Sequence, residues 1–401
     1  MVVFLVMLME PEKNANIKVI IGLTLIHFIG DFYSSFIDPL LPVFVDKFLL
    51  SLTQVGLITA TSRFLALIVQ PSMGYLADRY KTRFFILGGP LLAIFFISLV
   101  GIAPSFLVLL LFISIGSIGS SMFHPSVAGM VSTYAGQHFG FSMSVFNMGG
   151  TLAFGIGPLF ITYFVSIYGL GGSPYTIFIG LTVMMFLFRV IPTPLGEGLK
   201  DLGFIQSIKA VFQGVWKSIV LIWIVMVLRA YVGFSFRTFI TILYAQKGYS
   251  LVAIGTIVSI YTVAGSISGL LAGHLSDRIG YKPIFYFAHT ISMPSLILLL
   301  YAPGNWIYVS ALAAGFSIMA TLPLGVVMAQ ELAPKGRSMV SSLMMGFAFG
   351  MGGMMAPLTG KLADIFSIQS VLSFLAIIPL LTLVFIYLLP EKKARCQAPI
   401  L

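Results

Sequence analysis

Apolar residues in this chain gather into long runs, and the polar and charged positions collect in the short intervals between them. A helix needs roughly 17–25 mostly apolar residues to cross a bilayer. Runs of that order occur at 17–46, 52–76, 84–102, 105–134, 138–167, 172–192, 218–245, 251–275, 283–301, 305–331, 338–364 and 368–390. The pattern predicts an all-α membrane protein with twelve transmembrane helices.

Composition agrees. The 401 residues are 59% hydrophobic and only 8% charged, and the mean hydropathy is +1.06. Soluble chains carry about 25% charged residues, so a single soluble globular domain is excluded. The net charge of +10 invites a nucleic-acid partner, but its placement argues otherwise. With the N-terminus inside, the inner segments hold Lys13, Lys18, Arg79, Lys81, Arg83, Lys200, Lys209, Lys217, Arg278, Lys282, Lys335, Arg337, Lys392, Lys393 and Arg395, while the outer loops hold only Lys47, Lys247 and Lys361. That asymmetry is the positive-inside bias and places both termini in the cytoplasm of a cell-membrane protein. The lone Cys396 allows no internal disulfide. The opening MVVFLVMLME is too short an apolar run, without a small-residue cleavage site, to be read as a signal peptide.

The sequence repeats itself at one offset. SLTQVG at 51–56 returns as SLVAIG at 250–255, GYLADR at 74–79 as GHLSDR at 273–278, and GPL at 157–159 as APL at 356–358, each 199 residues on. Between Ser51 and Arg79, nine of 29 positions equal their partners, too many for unrelated apolar segments. The expected organisation is an N-terminal six-helix half over 1–192, a cytoplasmic linker over 193–217 and a C-terminal half over 218–401. Two parallel six-helix repeats are a transporter plan, with substrate near the midplane between them. A duplicated scaffold without transport is the alternative, and the duplicated loop argues against it.

In that loop, Asp78 and Asp277 follow the second and eighth helices, where the helix dipole is already negative. Each acid is better placed against another helix's N-terminus. The eleventh helix, opening near Arg337, suits Asp78, and the fifth, opening near His138, suits Asp277, so the two contacts would cross between halves and hold an inner gate shut. Gly74 and Gly273 would let backbones approach beside that joint, with Arg79 and Arg278 next to the acids. Acids that merely solvate a tight loop are the bland alternative.

Inside the helices, charge is scarce. His27, Asp31, Ser34 and Asp38 follow i, i+4, i+7, i+11, a stripe within about 60° of arc on the first helix. An aspartate at a membrane helix centre costs about 2.5–3.5 kcal/mol to insert, so such residues normally face a cavity and act. Asp31 is the first candidate for proton coupling, with His27 as its modulator and Asp38 nearer the surface; a structural cap or cross-link is the alternative. His124, before the helix-bending Pro125, is a further proton-coupling candidate or else a polar cross-link. His289, His138 and His274 read as structural or solvated. Arg63, Arg229 and Arg237 are buried cations that would grip an anionic substrate in bidentate fashion, or only neutralise Asp31 and Asp38. Tyr33 and Tyr231, with Phe32, Phe36, Phe234 and Phe236, are candidates to line the cavity. Gly149, Gly150, Gly155, Gly157 and Pro158 in the fifth helix, with GFAFGMGGMMAP ending at Pro357 in the eleventh, read as mechanical elements that let the fifth and eighth helices pack and slide.

The GYLADR and GHLSDR loops resemble the signature loop of the major facilitator superfamily, with Lys81 where that loop usually has glycine. LIHFIGDF at 25–32, GSIGSSMFHP, SVFNMGGTLAFGIGPL, AQELAPKGRSMVSSL, GFAFGMGG and KLADIFSIQSV together resemble the fosmidomycin-resistance family of drug efflux transporters, across nearly the whole chain. The resemblance picks out His27, Asp31, His124, Pro125, the glycines of 149–157, Gln330 and Glu331, and it implies proton-driven export of a small drug-like anion, a phosphonate being the type substrate. Ser126 stands where the family commonly has an acid, and Arg63 and Arg237 lie outside its pattern.

The expectation is therefore an alternating-access antiporter, monomeric in the lipid bilayer, with a small-molecule substrate and no cofactor beyond the proton gradient. The rival is a proton-coupled or exchanging importer of an organic anion. An enzyme is disfavoured, since the sequence holds neither a phosphate-binding glycine loop nor a His/Cys metal cluster, and no nucleic-acid partner is expected.

Overall fold

A computed structural model describes residues 16–79, 82–135, 139–193, 214–332 and 343–389. Every regular element among them is helical. We number the membrane helices α1 (Ile17–Phe48), α2 (Leu52–Arg79), α3 (Phe84–Ile102), α4 (Phe106–Tyr134), α5 (Phe139–Tyr168), α6 (Leu170–Val190), α7 (Trp216–Gln246), α8 (Leu251–Ile279), α9 (Tyr281–Tyr301), α10 (Trp306–Leu332), α11 (343–365) and α12 (Ile368–Leu388). Eleven of these are long and apolar enough to cross a membrane as continuous runs. The remaining one, α11, is built from a π-helical turn at Leu343–Ala348 followed by Phe349–Met354 and Ala356–Ile365. The helices match the apolar runs to within a few residues. One difference is that α7 already begins at Trp216, inside the stretch expected to be linker, because WKSIVLIWIV continues the apolar pattern.

Prolines accompany breaks in α1, α10, α11 and α12 among the described residues. Pro39 cannot donate to the carbonyl four residues back, and its ring crowds that carbonyl. The break in α1 falls there, at Ser35–Phe36, where Phe36 N–H closes a tighter bond to the Tyr33 carbonyl at 3.0 Å. In α11, Pro357 likewise opens the segment after the break at Met355. α1 and α7 are the most enclosed helices, 72% and 61% buried over their apolar windows, so charged groups on them must find partners inside the protein.

The two sets of helices meet closely at the end where α1 turns into α2, α7 into α8 and α11 into α12, here the first-loop face. A Cβ on Gly56 would lie 2.5 Å from the Ala356 carbonyl oxygen and 2.7 Å from Pro357 Cα; one on Gly255 would lie 2.8 Å from the Pro158 carbonyl oxygen and 2.1 Å from Thr162 Oγ1. Gly56 and Gly255 are repeat partners, as are Pro158 and Pro357, so α2–α11 and α5–α8 form two equivalent seams of close approach, with glycine against backbone at Gly56 and against the Pro158 carbonyl and the Thr162 side chain at Gly255. Asp364 adds a lock to one of them. Its carboxylate accepts the Leu52 N–H at 2.8 Å, the Thr53 N–H at 3.0 Å and the Thr53 hydroxyl at 2.6 Å, capping the N-terminus of α2, where the dipole favours an anion.

An acid docked across the boundary on a helix N-terminus is thus present, but at the end of α2 opposite to Asp78. The side chains of Asp78, Arg79 and Asp277, together with Gly74 packing, His138 and Arg337, lie outside the described residues. Arg278 is exposed in the last turn of α8. A Cβ on Gly273 would meet nothing within 4 Å among the described residues, and the start of the fifth helix expected beside it lies outside them; the tight contacts among the described residues sit at the first-loop face.

The fifth-helix glycines also divide differently from expectation. Gly149, Gly150 and Gly157 face α1, against Thr24, the His27–Asp31 pair and Ser35, and only Gly155 meets α8, at Val263. Gly150 and Gly157 are seven residues apart and share a face, whereas Gly155 lies about 140° round the helix from Gly150.

Gly360→Ala places a Cβ 2.1 Å from the Leu52 carbonyl oxygen and is expected to cost about 1–3 kcal/mol by overpacking. Thermal unfolding in detergent should fall by several degrees for Gly360→Ala and be unchanged or slightly raised for Gly273→Ala.

Candidate functional site

Three side chains from two helices converge deep inside the first six helices. His27 and Asp31 lie one turn apart on α1, 8% and 4% exposed, with His27 Nε2 3.1 Å from a carboxylate oxygen of Asp31. His124, reaching in from α4 just before Pro125, sets its Nε2 3.2 Å from the other carboxylate oxygen. Each ring is aimed by its second nitrogen. His27 Nδ1 is 2.9 Å from the Phe146 carbonyl oxygen of α5, and His124 Nδ1 is 2.6 Å from the Ser120 carbonyl oxygen one turn back. Aromatic rings wall the cluster: Phe146 stacks on His27 at 4.2 Å between centroids, and Phe123 stacks on His124 at 4.2 Å. Gly150 lets α5 come this close, since a Cβ there would lie 2.5 Å from His27 Nε2 and 2.8 Å from the Asp31 carboxylate.

The hydrogen-bond partners fix the protons. A carbonyl oxygen only accepts, so Nδ1 carries the hydrogen in both rings, and both Nε2 atoms face Asp31. A bare Nε2 and a carboxylate oxygen each present a lone pair, so each contact becomes attractive when a proton lies in it. Filling both contacts places two protons in the cluster. With neither filled, three lone-pair carriers face one another.

Asp38 does not join this cluster. Beyond the break in α1, it forms an ion pair with Arg237 of α7, and the Arg237 guanidinium also lies 5.0 Å from the centre of the Phe154 ring of α5. The pair bridges the two sets of six helices, and each group neutralises the other. Arg63 of α2 is different. It lies 4.2 Å over the Phe234 ring, and its Nε has no hydrogen-bond partner among the described residues. It stands within electrostatic range of Asp31, Asp38 and Arg237 and of His124. Arg229 of α7, 4% exposed, donates to the Ile318 carbonyl at 3.3 Å and faces the Phe349 ring at 5.5 Å, again with Nε unpartnered among the described residues.

The tyrosines are corrected. Tyr33 is fully buried, its hydroxyl donating to the Thr176 carbonyl of α6, and the Tyr231 hydroxyl is bonded at 3.1 Å to Thr359 of α11. Both tie helices together within one six-helix set instead of lining a cavity. His289 is structural as expected, held at 2.5 Å from Thr382 and 3.4 Å from Thr321. Ser126, where the resemblance leads one to expect an acid, is buried with no partner for its hydroxyl among the described residues. Gln330 and Glu331 close α10. Sequence reasoning missed Asp364, which sits in the quoted KLADIFSIQSV motif next to no sequence-local basic partner in the following turn. It also missed the Phe146 and Ser120 carbonyls, for which the sequence carries no signal.

Removing one member of the Asp38–Arg237 pair leaves the other charge buried, at a cost of about 3–5 kcal/mol. Unfolding in detergent should show Asp38→Asn and Arg237→Gln each strongly destabilised and the double variant largely recovered.

Comparison with known proteins places these features in a family. The Major Facilitator Superfamily profile matches residues 23–357 and 222–400. The chain is 27% identical over 390 residues to the Fosmidomycin resistance protein of Escherichia coli (strain K12), covering 96% of this chain and 95% of that one. It is 26% identical over 392 residues to the MFS-type transporter YfnC of Bacillus subtilis (strain 168), covering 94% of each. Its fold is similar to that of a bacterial homolog of the human lysosomal transporter Spinster, with a TM-score of 0.76 at 18% identity over 94% of this chain and 97% of that one. With twelve membrane helices and a profile match along nearly its whole length, the chain belongs to the Major Facilitator Superfamily, a family of multi-pass membrane transporters and not of enzymes.

Proposed function

We propose that this transporter exports a small, anionic, drug-like compound in exchange for protons, with Asp31, His27 and His124 holding the protons and Arg63 meeting the acid group of the substrate. The observation that carries this reading is the convergence of two imidazole Nε2 atoms on one buried carboxylate, a cluster that gains or loses two protons as its contacts fill. Arg63 supplies the coupling. Its guanidinium has no carboxylate within ion-pair distance among the described residues yet lies within electrostatic range of the cluster, so an arriving anion and arriving protons change each other's affinity. Arg229 offers a second cation across the boundary. The name of the Escherichia coli relative, a fosmidomycin resistance protein, supports a phosphonate as the substrate type.

The charge asymmetry supports a cytoplasmic-membrane location with both termini inside. In that orientation the first-loop face is outside, and the two glycine seams and the Asp364 cap close the protein on that side. A proton-coupled importer of an organic anion is the second reading, favoured by the same arginines, which have no carboxylate partner among the described residues.

Proteoliposomes loaded with a pH-sensitive dye test this. Fosmidomycin should drive proton movement in the wild type, and Asp31→Asn should abolish it while the protein stays folded. Arg63→Gln should raise the KM for fosmidomycin at least about tenfold, the loss of one charge-assisted bond of about 1.5–3 kcal/mol. Net substrate flux along an imposed proton gradient, in the same direction as the protons, would establish the importer and sink the antiport reading.

A further inference from the structure

We propose that His27, Asp31 and His124 form a binding site for a divalent transition-metal ion of the zinc and cobalt kind, taken by the two Nε2 atoms and a carboxylate oxygen of Asp31. The site stands on the geometry of the cluster and does not depend on the antiport reading.

The donor atoms are already spaced for it. In a tetrahedral site with metal–ligand distances of about 2.0–2.1 Å, neighbouring ligand atoms lie about 3.3 Å apart. The nitrogen–oxygen separations here are 3.1 Å from His27 Nε2 to one carboxylate oxygen and 3.2 Å from His124 Nε2 to the other. One ligand atom from each residue lies within 4.8 Å of the other two, so a metal ion between the rings asks the carboxylate to turn one oxygen towards both nitrogens. Drawing the two nitrogens together asks for a small rotation of the less enclosed ring, that of His124, whose side chain is 29% exposed. The same exposure leaves a coordination position open for water or a substrate oxygen.

The outer shell is of the kind that metal sites use. A ligating histidine almost always donates its other N–H to a carbonyl or carboxylate, which fixes the tautomer and points the free nitrogen at the metal. Both rings do this, to the Phe146 and Ser120 carbonyls, and the stacked Phe146 and Phe123 rings hold their planes. Two imidazoles with one carboxylate favour zinc, cobalt, nickel or copper over magnesium and calcium, which take oxygen ligands.

The charges around the site set its strength. Asp31 brings one negative charge, Asp38 and Arg237 neutralise each other, and Arg63 opposes a cation from α2. Metal and protons exclude one another, since both use the same lone pairs. A metal ion would therefore hold the cluster in a state that carries no protons between its members.

The test uses the full chain in detergent, purified without a polyhistidine tag and titrated with Co²⁺ at neutral pH. The expected result is one Co²⁺ per chain with the visible absorption bands of a low-coordinate nitrogen–oxygen site, displaced by Zn²⁺. His27→Asn and His124→Asn should each weaken binding at least about tenfold, and His274→Asn, exposed on α8, should not. X-ray absorption on the zinc-loaded wild type needs no variant and should read two imidazoles with bonds of about 2.0–2.1 Å. Binding that persists in both histidine variants, or zinc without two imidazole ligands, would overturn the proposal. Loss of fosmidomycin-driven proton flux with metal binding intact would count against the antiport reading alone.

Discussion

Asp31 holds the centre of this protein because a carboxylate in a hydrocarbon slab has to be matched where it stands. Its two oxygens are answered by imidazoles from α1 and α4, and the His27 ring is anchored in turn on a carbonyl of α5. The match therefore locks three helices together around α1. One break further along the same helix, Asp38 repeats the logic across to α7 through Arg237. α1 is the most enclosed helix of the structure, and its charges can be there only because its neighbours were built to meet them.

The remaining buried cations are met differently. Arg63 and Arg229 lie on aromatic faces, and Arg229 also on a carbonyl, contacts that soften the cost of burial without cancelling the charge. That contrast separates the ionisable groups into two kinds: pairs that are closed in themselves, such as Asp38 with Arg237, and groups left with capacity for something that arrives. The His27–Asp31–His124 cluster and Arg63 belong to the second kind, and they lie within electrostatic reach of each other.

Around this centre the repeat supplies the frame. The Gly56 and Gly255 seams are equivalent under the 199-residue offset, and at each a glycine of one half meets a backbone carbonyl of the other. The equivalence is not complete. Asp364 caps α2 on one side, whereas its repeat partner is Val165, whose apolar side chain cannot do the same for α8. A symmetric frame with an asymmetric lock and an asymmetric charge cluster suits a machine whose halves move alike but bind differently.

Sequence alone determined the class, the spans and the repeat. Crossing a bilayer is a demand on local composition, so the apolar runs mark their own helices to within a few residues, and duplication leaves an offset that no packing detail can hide. It also brought His27 and Asp31 together, since a one-turn spacing on one helix is a local fact. Tertiary structure decided the rest. Whether Asp38 faces the histidines or Arg237 depends on a proline-driven break in α1 and on how α7 is rotated against it. Whether Gly150 serves α8 or α1 depends on which face of α5 is turned inward. His124 meets Asp31 from more than 90 residues away, on nitrogens aimed by two backbone carbonyls that carry no sequence signal at all. Spans follow from the energy of single helices in lipid, whereas pairings follow from the mutual rotation of many helices, which no one segment specifies.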